Sequence, residues 1–129
     1  GDAKDVVTRN MHMASWMDGN KHGLEVDKSG GHLDFTSEID GVVRISMMEM
    51  GPDRGHYPRV SVEIVHGEAT NAPLMLDPFL RDKYRHLNNM SPIVGQVHRG
   101  RNRLMVTPLD KNTEHPFRIT GIVVTGPDE

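Results

Sequence analysis

The chain has 129 residues, no Cys, and 15 Lys and Arg against 18 Asp and Glu, for a formal charge of −3. Without Cys there is no disulfide framework, thiolate metal site or thiol chemistry. At 36% hydrophobic the chain is too apolar for disorder and fits one domain over residues 1–129, while no apolar run approaches the roughly 18 residues of a membrane-spanning helix.

Residues 8–17 fit two periods. Met13, Trp16 and Met17 suit a helix, whereas Met11, Met13 and Met17 suit a strand. Asp18-Gly19-Asn20 reads as a turn. After the Ser29-Gly30-Gly31 turn, Leu33 and Phe35 alternate with His32, Asp34 and Thr36. After Asp40-Gly41, Val43, Ile45 and Met47 alternate with Arg44, Ser46 and Met48. Beyond Gly51-Pro52-Asp53 come Val60, Val62 and Ile64. A period of two marks a strand with one buried face. Asp77 suits an N-cap and Pro78 the first helical position. Leu80, Tyr84 and Leu87 follow at helical spacing, and Asn88-Asn89 can end the helix. This predicts one short helix near 78–87. Leu104 and Val106 then alternate, as do Phe117, Ile119, Gly121 and Val123. The fold class is all-β: an antiparallel sandwich or barrel of about eight strands with that one helix. Met48, Val65, Met105, Ile122 and Val124 fall on the nominal outer faces, which suggests a second buried surface.

Six aromatic residues, Trp16, Phe35, Tyr57, Phe79, Tyr84 and Phe117, are few for sugar platforms or single-strand nucleic-acid grooves. They can build one small platform. With a net negative charge, dedicated nucleic-acid binding is not expected. Asp27 to Glu38 has the length of a calcium loop, but His32 replaces its central Gly, so a hairpin turn is the better reading. Met11-His12-Met13 invites a copper reading. Extended chain sends His12 to the opposite face from the two Met, so no metal site is assigned. No catalytic motif or dinucleotide fingerprint occurs, and no cofactor is expected.

The middle of the chain is basic, with seven Lys and Arg against four Asp and Glu over residues 56–107. Arg99, Arg101 and Arg103 share one strand face, which an anion would stabilise. Arg54-Gly-His-Tyr-Pro-Arg59-Val-Ser-Val-Glu63 and, thirty residues beyond Arg59, Asn89-Met90-Ser91-Pro-Ile-Val-Gly95 resemble the two ligand motifs of PilZ domains. The resemblance implies a small β-barrel that binds cyclic di-GMP through Arg54, Arg59, Asn89 and Ser91. The arginines stand one residue further apart than in that family, and the glycine falls one position late.

Three functional readings follow. The leading one is a non-enzymatic interaction module that contacts another protein or itself, in an extracytoplasmic or particle-associated setting. The second is an anion or nucleotide binder, with a phosphate-bearing ligand on Arg99, Arg101 and Arg103 and on Arg54, Arg59, Asn89 and Ser91. The third is a small enzyme or copper protein with a His-centred site. A chain that begins at Gly1 reads as a processed or excised product and leaves its compartment open.

Overall fold

Alternating apolar residues predict strands that bury one face, and the computed structural model describes residues 4–16, 21–51, 56–66, 69–70, 72–79 and 86–126. The strands are β1 (Lys4–Arg9), β2 (Met11–Trp16), β3 (Lys21–Val26), β4 (Gly31–Ser37), β5 (Gly41–Met50), β6 (Val60–His66), β7 (Ala69–Thr70), β8 (Leu74–Leu76), β9 (His86–Met90), β10 (Gly95–Val97), β11 (Gly100–Pro108) and β12 (Phe117–Thr125). They form two six-stranded antiparallel sheets packed as a sandwich. One has the order β1-β4-β11-β6-β7, with β8 also on β6; the other has β10-β5-β12-β3-β2, with β9 also on β5.

The inward residues expected from the sequence fill the space between the sheets. Leu33, Phe35, Val43, Ile45, Val60, Val62, Ile64, Leu104, Val106, Phe117 and Ile119 are all buried there. Each large apolar side chain so buried contributes about 1.5–3 kcal/mol before entropy is counted. β12 departs from its expected phase. Its register against β5 shifts between Ile119 and Gly121, so the next inward residues are Ile122 and Val124 rather than Gly121 and Val123. One extra residue in a strand moves every later side chain to the other face.

That shift also corrects the expected second buried surface. Ile122 and Val124 belong to the main core, and only Met48 joins a separate apolar cluster, with Met50 and Tyr57. Val65 and Met105 are half-buried. Met48 is already covered within the chain, so it offers no apolar patch to a partner.

Residues 11–16 are strand, which settles the ambiguity there. The proposed helix has no helical residue within the described part. Pro78 accepts a hydrogen bond from the Met50 N–H, Phe79 bridges to Met50, and His86 and Leu87 lie in β9 against β5. Residues 80–85 of that expectation lie outside the described residues. At 86–87 pairing to an open sheet edge overrides a weak local helix preference.

Two backbone approaches fix the corner where the chain passes between sheets. Asn10 has φ 58° between β1 and β2, a conformation that Asn tolerates better than most residues. Its carbonyl accepts from the Asp27 N–H at 3.0 Å. Gly31 passes so near that a Cβ there would sit 2.6 Å from the same carbonyl.

Candidate functional site

Strand pairing brings three segments to one end of the sandwich. β6 begins opposite the end of β8, through Val60 and Leu76, and opposite the end of β11, through Val60 and Pro108. Residues 56–59, 77–79 and 109–116 therefore meet beside Met50, the last residue of β5. Polar and turn-forming residues dominate them because their backbones leave the sheets there.

Backbone bonds lock two of these segments together. The Leu109 N–H donates to the Arg59 carbonyl at 2.7 Å, and the His115 N–H donates to the His56 carbonyl at 3.2 Å. Side chains add a second set. Arg59 donates from its backbone N–H and Nε to Asp110 Oδ2, and from Nη2 to Asp110 Oδ1, at 2.9, 3.0 and 2.9 Å. These bonds stabilise the carboxylate and pull the Asp110 pKa down to about 2. Glu114 accepts from the His56 backbone N–H, which also lowers its pKa.

Beneath this wall lies a buried charged post. Arg118 Nε donates to Glu25 Oε2 at 2.8 Å, and Nη1 donates to the Tyr57 hydroxyl at 3.1 Å. The guanidinium carbon lies 5.5 Å from the Tyr57 ring centroid. His115 meets the same ring edge-on at 5.6 Å. Burial pushes the Tyr57 pKa up, so the phenol stays neutral.

The result is a cleft of about 350 Å³, walled by Arg59, Asp77, Phe79, Asp110, Asn112 and Glu114. The His56 and Phe79 rings are parallel within 5°, with centroids 6.0 Å apart. Phe79 is 37% exposed. The cleft thus combines the partly exposed Phe79 ring and the His56 imidazole with carboxylate, amide and guanidinium groups. Such a surface can receive the C–H face of a ligand while hydrogen-bonding its polar rim.

The arginine and asparagine positions singled out in the sequence do not converge. Arg59 belongs to the cleft and is held by Asp110. Arg54 lies outside the described residues. Arg101 donates to the Asp5 carbonyl at 2.7 Å and to Thr36 Oγ1 at 3.1 Å. Arg103 forks onto both oxygens of Asp34 at 2.7 and 3.1 Å, which lowers the Asp34 pKa. The Arg99 N–H donates to Asp40. These three lie toward the opposite end of β11 from Arg59. Asn89 donates to Glu49 at 2.7 Å. Buried Ser91 accepts from the Ile45 N–H at 3.0 Å and donates to the Pro92 carbonyl. Both stand on the edge of the other sheet. Asn89 and Ser91 thus hold neighbouring segments of this chain, and of the three arginines on β11's side Arg103 is the one whose guanidinium is shown paired with a carboxylate, Asp34.

Three described histidines each stand beside a different carboxylate. His12 sits beside Asp27 at 2.9 Å, His56 beside Glu114 at 3.4 Å and His98 beside Asp40 at 4.0 Å. Among the described residues no group of three or more His, Asp or Glu is placed to hold a metal. Asp27, first in the calcium-loop reading, starts a tight turn closed by the Gly30 N–H. Among the described residues no helix is long and apolar enough to cross a membrane.

No protein-family model and no curated protein matches the sequence. The fold does match solved structures. It resembles a family 35 carbohydrate-binding module from Clostridium thermocellum, with a TM-score of 0.57 and 13% identity over 96% of this chain and 95% of that one. It also resembles the module CsCBM6-3 from Clostridium stercorarium, solved with cellobiose, at a TM-score of 0.54 and 10% identity, covering 97% and 88%. A third is Xyl-CBM35 in complex with a glucuronic-acid-containing disaccharide, at a TM-score of 0.55 and 11% identity, covering 95% and 93%. The chain therefore has the β-sandwich fold that carbohydrate-binding modules also use.

Proposed function

We propose that this chain is a non-catalytic carbohydrate-binding module whose ligand lies in the cleft between residues 56–59, 77–79 and 109–116. The observation that carries the reading is the pairing of the His56–Phe79 ring faces with Asp77, Asp110, Asn112 and Glu114 around one cleft. A sugar ring has an apolar C–H face and a rim of hydroxyls, and the cleft offers a partner for each. Hydroxyls donate to the carboxylates, and such charge-assisted bonds are stronger than neutral ones. Arg59 fixes Asp110 in one rotamer before the ligand arrives, so less ordering remains to be done on binding. The shared fold with sugar-binding modules supports the same reading by analogy. The paucity of aromatic residues is consistent with it, because the cleft uses one small platform.

A glycan array followed by titration with the recognised sugars tests the proposal, using the wild type and Asp110→Asn. Wild-type binding to a defined set of glycans, weakened at least several-fold by the substitution, is the expected result. A wild type that binds no glycan, or an Asp110→Asn protein that binds as the wild type does, would overturn it.

A further inference from the structure

We infer that the chain forms a two-fold dimer by pairing the free edge of β2 with β2 of a second copy. β2 is the last strand of its sheet. It pairs with β3 residue for residue, from Met11↔Val26 to Trp16↔Lys21, with no shift. Its six residues, Met-His-Met-Ala-Ser-Trp, include no Pro, Gly, Asp, Glu, Lys or Arg. A flat, uncharged edge of this kind is a template for another strand. The other edges are blunted. β1 is bent by a register shift between Lys4 and Val7 and by a φ of 51° at Asp5. β7, β8 and β10 have two, three and three residues. On β9 the Met90 N–H is taken by the neighbouring Asn89 Oδ1 at 2.9 Å.

A knob beside a hole on this same edge makes a second copy the occupant. Met13, Leu24 and Ile119 are in register across β2, β3 and β12 and share the inward face of the sheet. Met13 is nonetheless 77% exposed. β3 pairs with β12 only from Leu24 to Val26, and β12 shifts register just past Ile119. There a hollow of about 420 Å³ opens between the sheets, walled by Val6, Met13, Leu24, Leu33 and Ile122. A two-fold interface must complement itself. Antiparallel pairing centred on Met13 sets Met13 against its own symmetry copy, Met11 against Ser15 and His12 against Ala14. Inward residues then stay opposite inward residues, and no like charges meet across the seam. Each Met13 thioether reaches the mouth of the other copy's hollow, and thioethers fill irregular apolar gaps well. Met11, Val26 and Phe117 are in register at the cleft end, so the antiparallel seam sets the two clefts at opposite ends of the dimer. On the sugar reading of the cleft, on which this consequence rests, the dimer bridges two glycan chains.

Sedimentation equilibrium of the full chain, across a range of roughly 1 µM to 1 mM, tests the dimer. A seam of two short edges lies near or below the about 1,200 Å² at which stable interfaces begin, so a dissociation constant on the order of 10–100 µM is expected. Met13→Lys and Met13→Glu should each stay monomeric, because each sets like charges opposite one another across the axis. An equimolar mixture of the two should recover the dimer, because Lys then faces Glu. A melting temperature within about 3 °C of the wild type confirms that each variant is folded. A wild type that is monomeric up to about 1 mM overturns the inference without any variant. A folded Met13→Lys protein that dimerises as the wild type does, or a mixture of the two variants that remains monomeric, overturns it as well. Sugar binding enters none of these readouts, so the result stands apart from the reading of the cleft.

Discussion

Replacing Arg118 with Met tests how the cleft is supported. Methionine keeps much of the aliphatic stem and removes the guanidinium. Arg118 is 9% exposed and is bonded to both Glu25 and Tyr57. A hydrogen bond to a charged group contributes about 1.5–3 kcal/mol, and a cation–π contact about 0.5–2 kcal/mol. Stranding a fully buried charge costs about 3–5 kcal/mol. The Glu25 side chain, however, is 27% exposed and can be rehydrated. The net loss should therefore be about 2–3 kcal/mol, between the buried and surface limits. For a domain of this length that lowers Tm by roughly 6–15 °C. Urea unfolding gives the free energy directly. The double variant with Glu25→Gln should lose less than the sum of the two single variants, because the stranded carboxylate is gone. A loss below about 1 kcal/mol, the scale of a surface pair, or strictly additive costs in the cycle would refute the buried-post argument.

Phe79→Ala should weaken sugar binding by about threefold to tenfold, the worth of one aromatic contact, with little change in Tm; an unchanged titration curve would remove Phe79 from the site. Asp110 titrates near 2 rather than 3.8. Its contribution to stability is therefore complete above about pH 4 and disappears as the pH falls through 2; carboxyl-carbon NMR gives its midpoint, and a value near 3.8 would contradict the Arg59 fork. The β12 register is tested by paired substitutions. Ile122→Ala should cost about 2–4 kcal/mol and Val123→Ala under about 1.5 kcal/mol, and denaturant melts showing the reverse order would restore the unshifted phase.

The sheets were legible where hydrophobic alternation is strict. Leu33 and Phe35, or Val60, Val62 and Ile64, have one arrangement that buries all of them together, so period alone identifies their inner face. β12 departs from its sequence phase after Ile119 because an extra residue within a strand leaves the apolar pattern nearly intact while inverting its meaning. The 78–87 segment carries real capping residues, but an open edge on β5 supplies hydrogen bonds that no local pattern records. The cleft was mostly invisible. The sequence offers Arg59 as an anion ligand but does not show its partner within the chain, Asp110, 51 positions later. His56 and Phe79 stack although their segments lie on different strand ends. Only the polar Asp110-Lys-Asn-Thr-Glu114 run between two strands hinted that a loop there had work beyond turning the chain.

Both sheets have a late strand near their centre. β11 lies between β4 and β6, and β12 lies between β5 and β3. During synthesis neither sheet can close until residues beyond 100 emerge. At ribosomal rates of about 5–20 residues per second, the stretch from Gly100 to Thr125 takes roughly 1–5 s to appear. For that interval β4, β5 and β6 expose unpaired edges bearing the most apolar side chains of the molecule, the surface on which chaperones and misassembly compete. A ribosome stalled shortly before Gly100 would hold a chain unable to complete either sheet, so productive folding waits for β11 and β12.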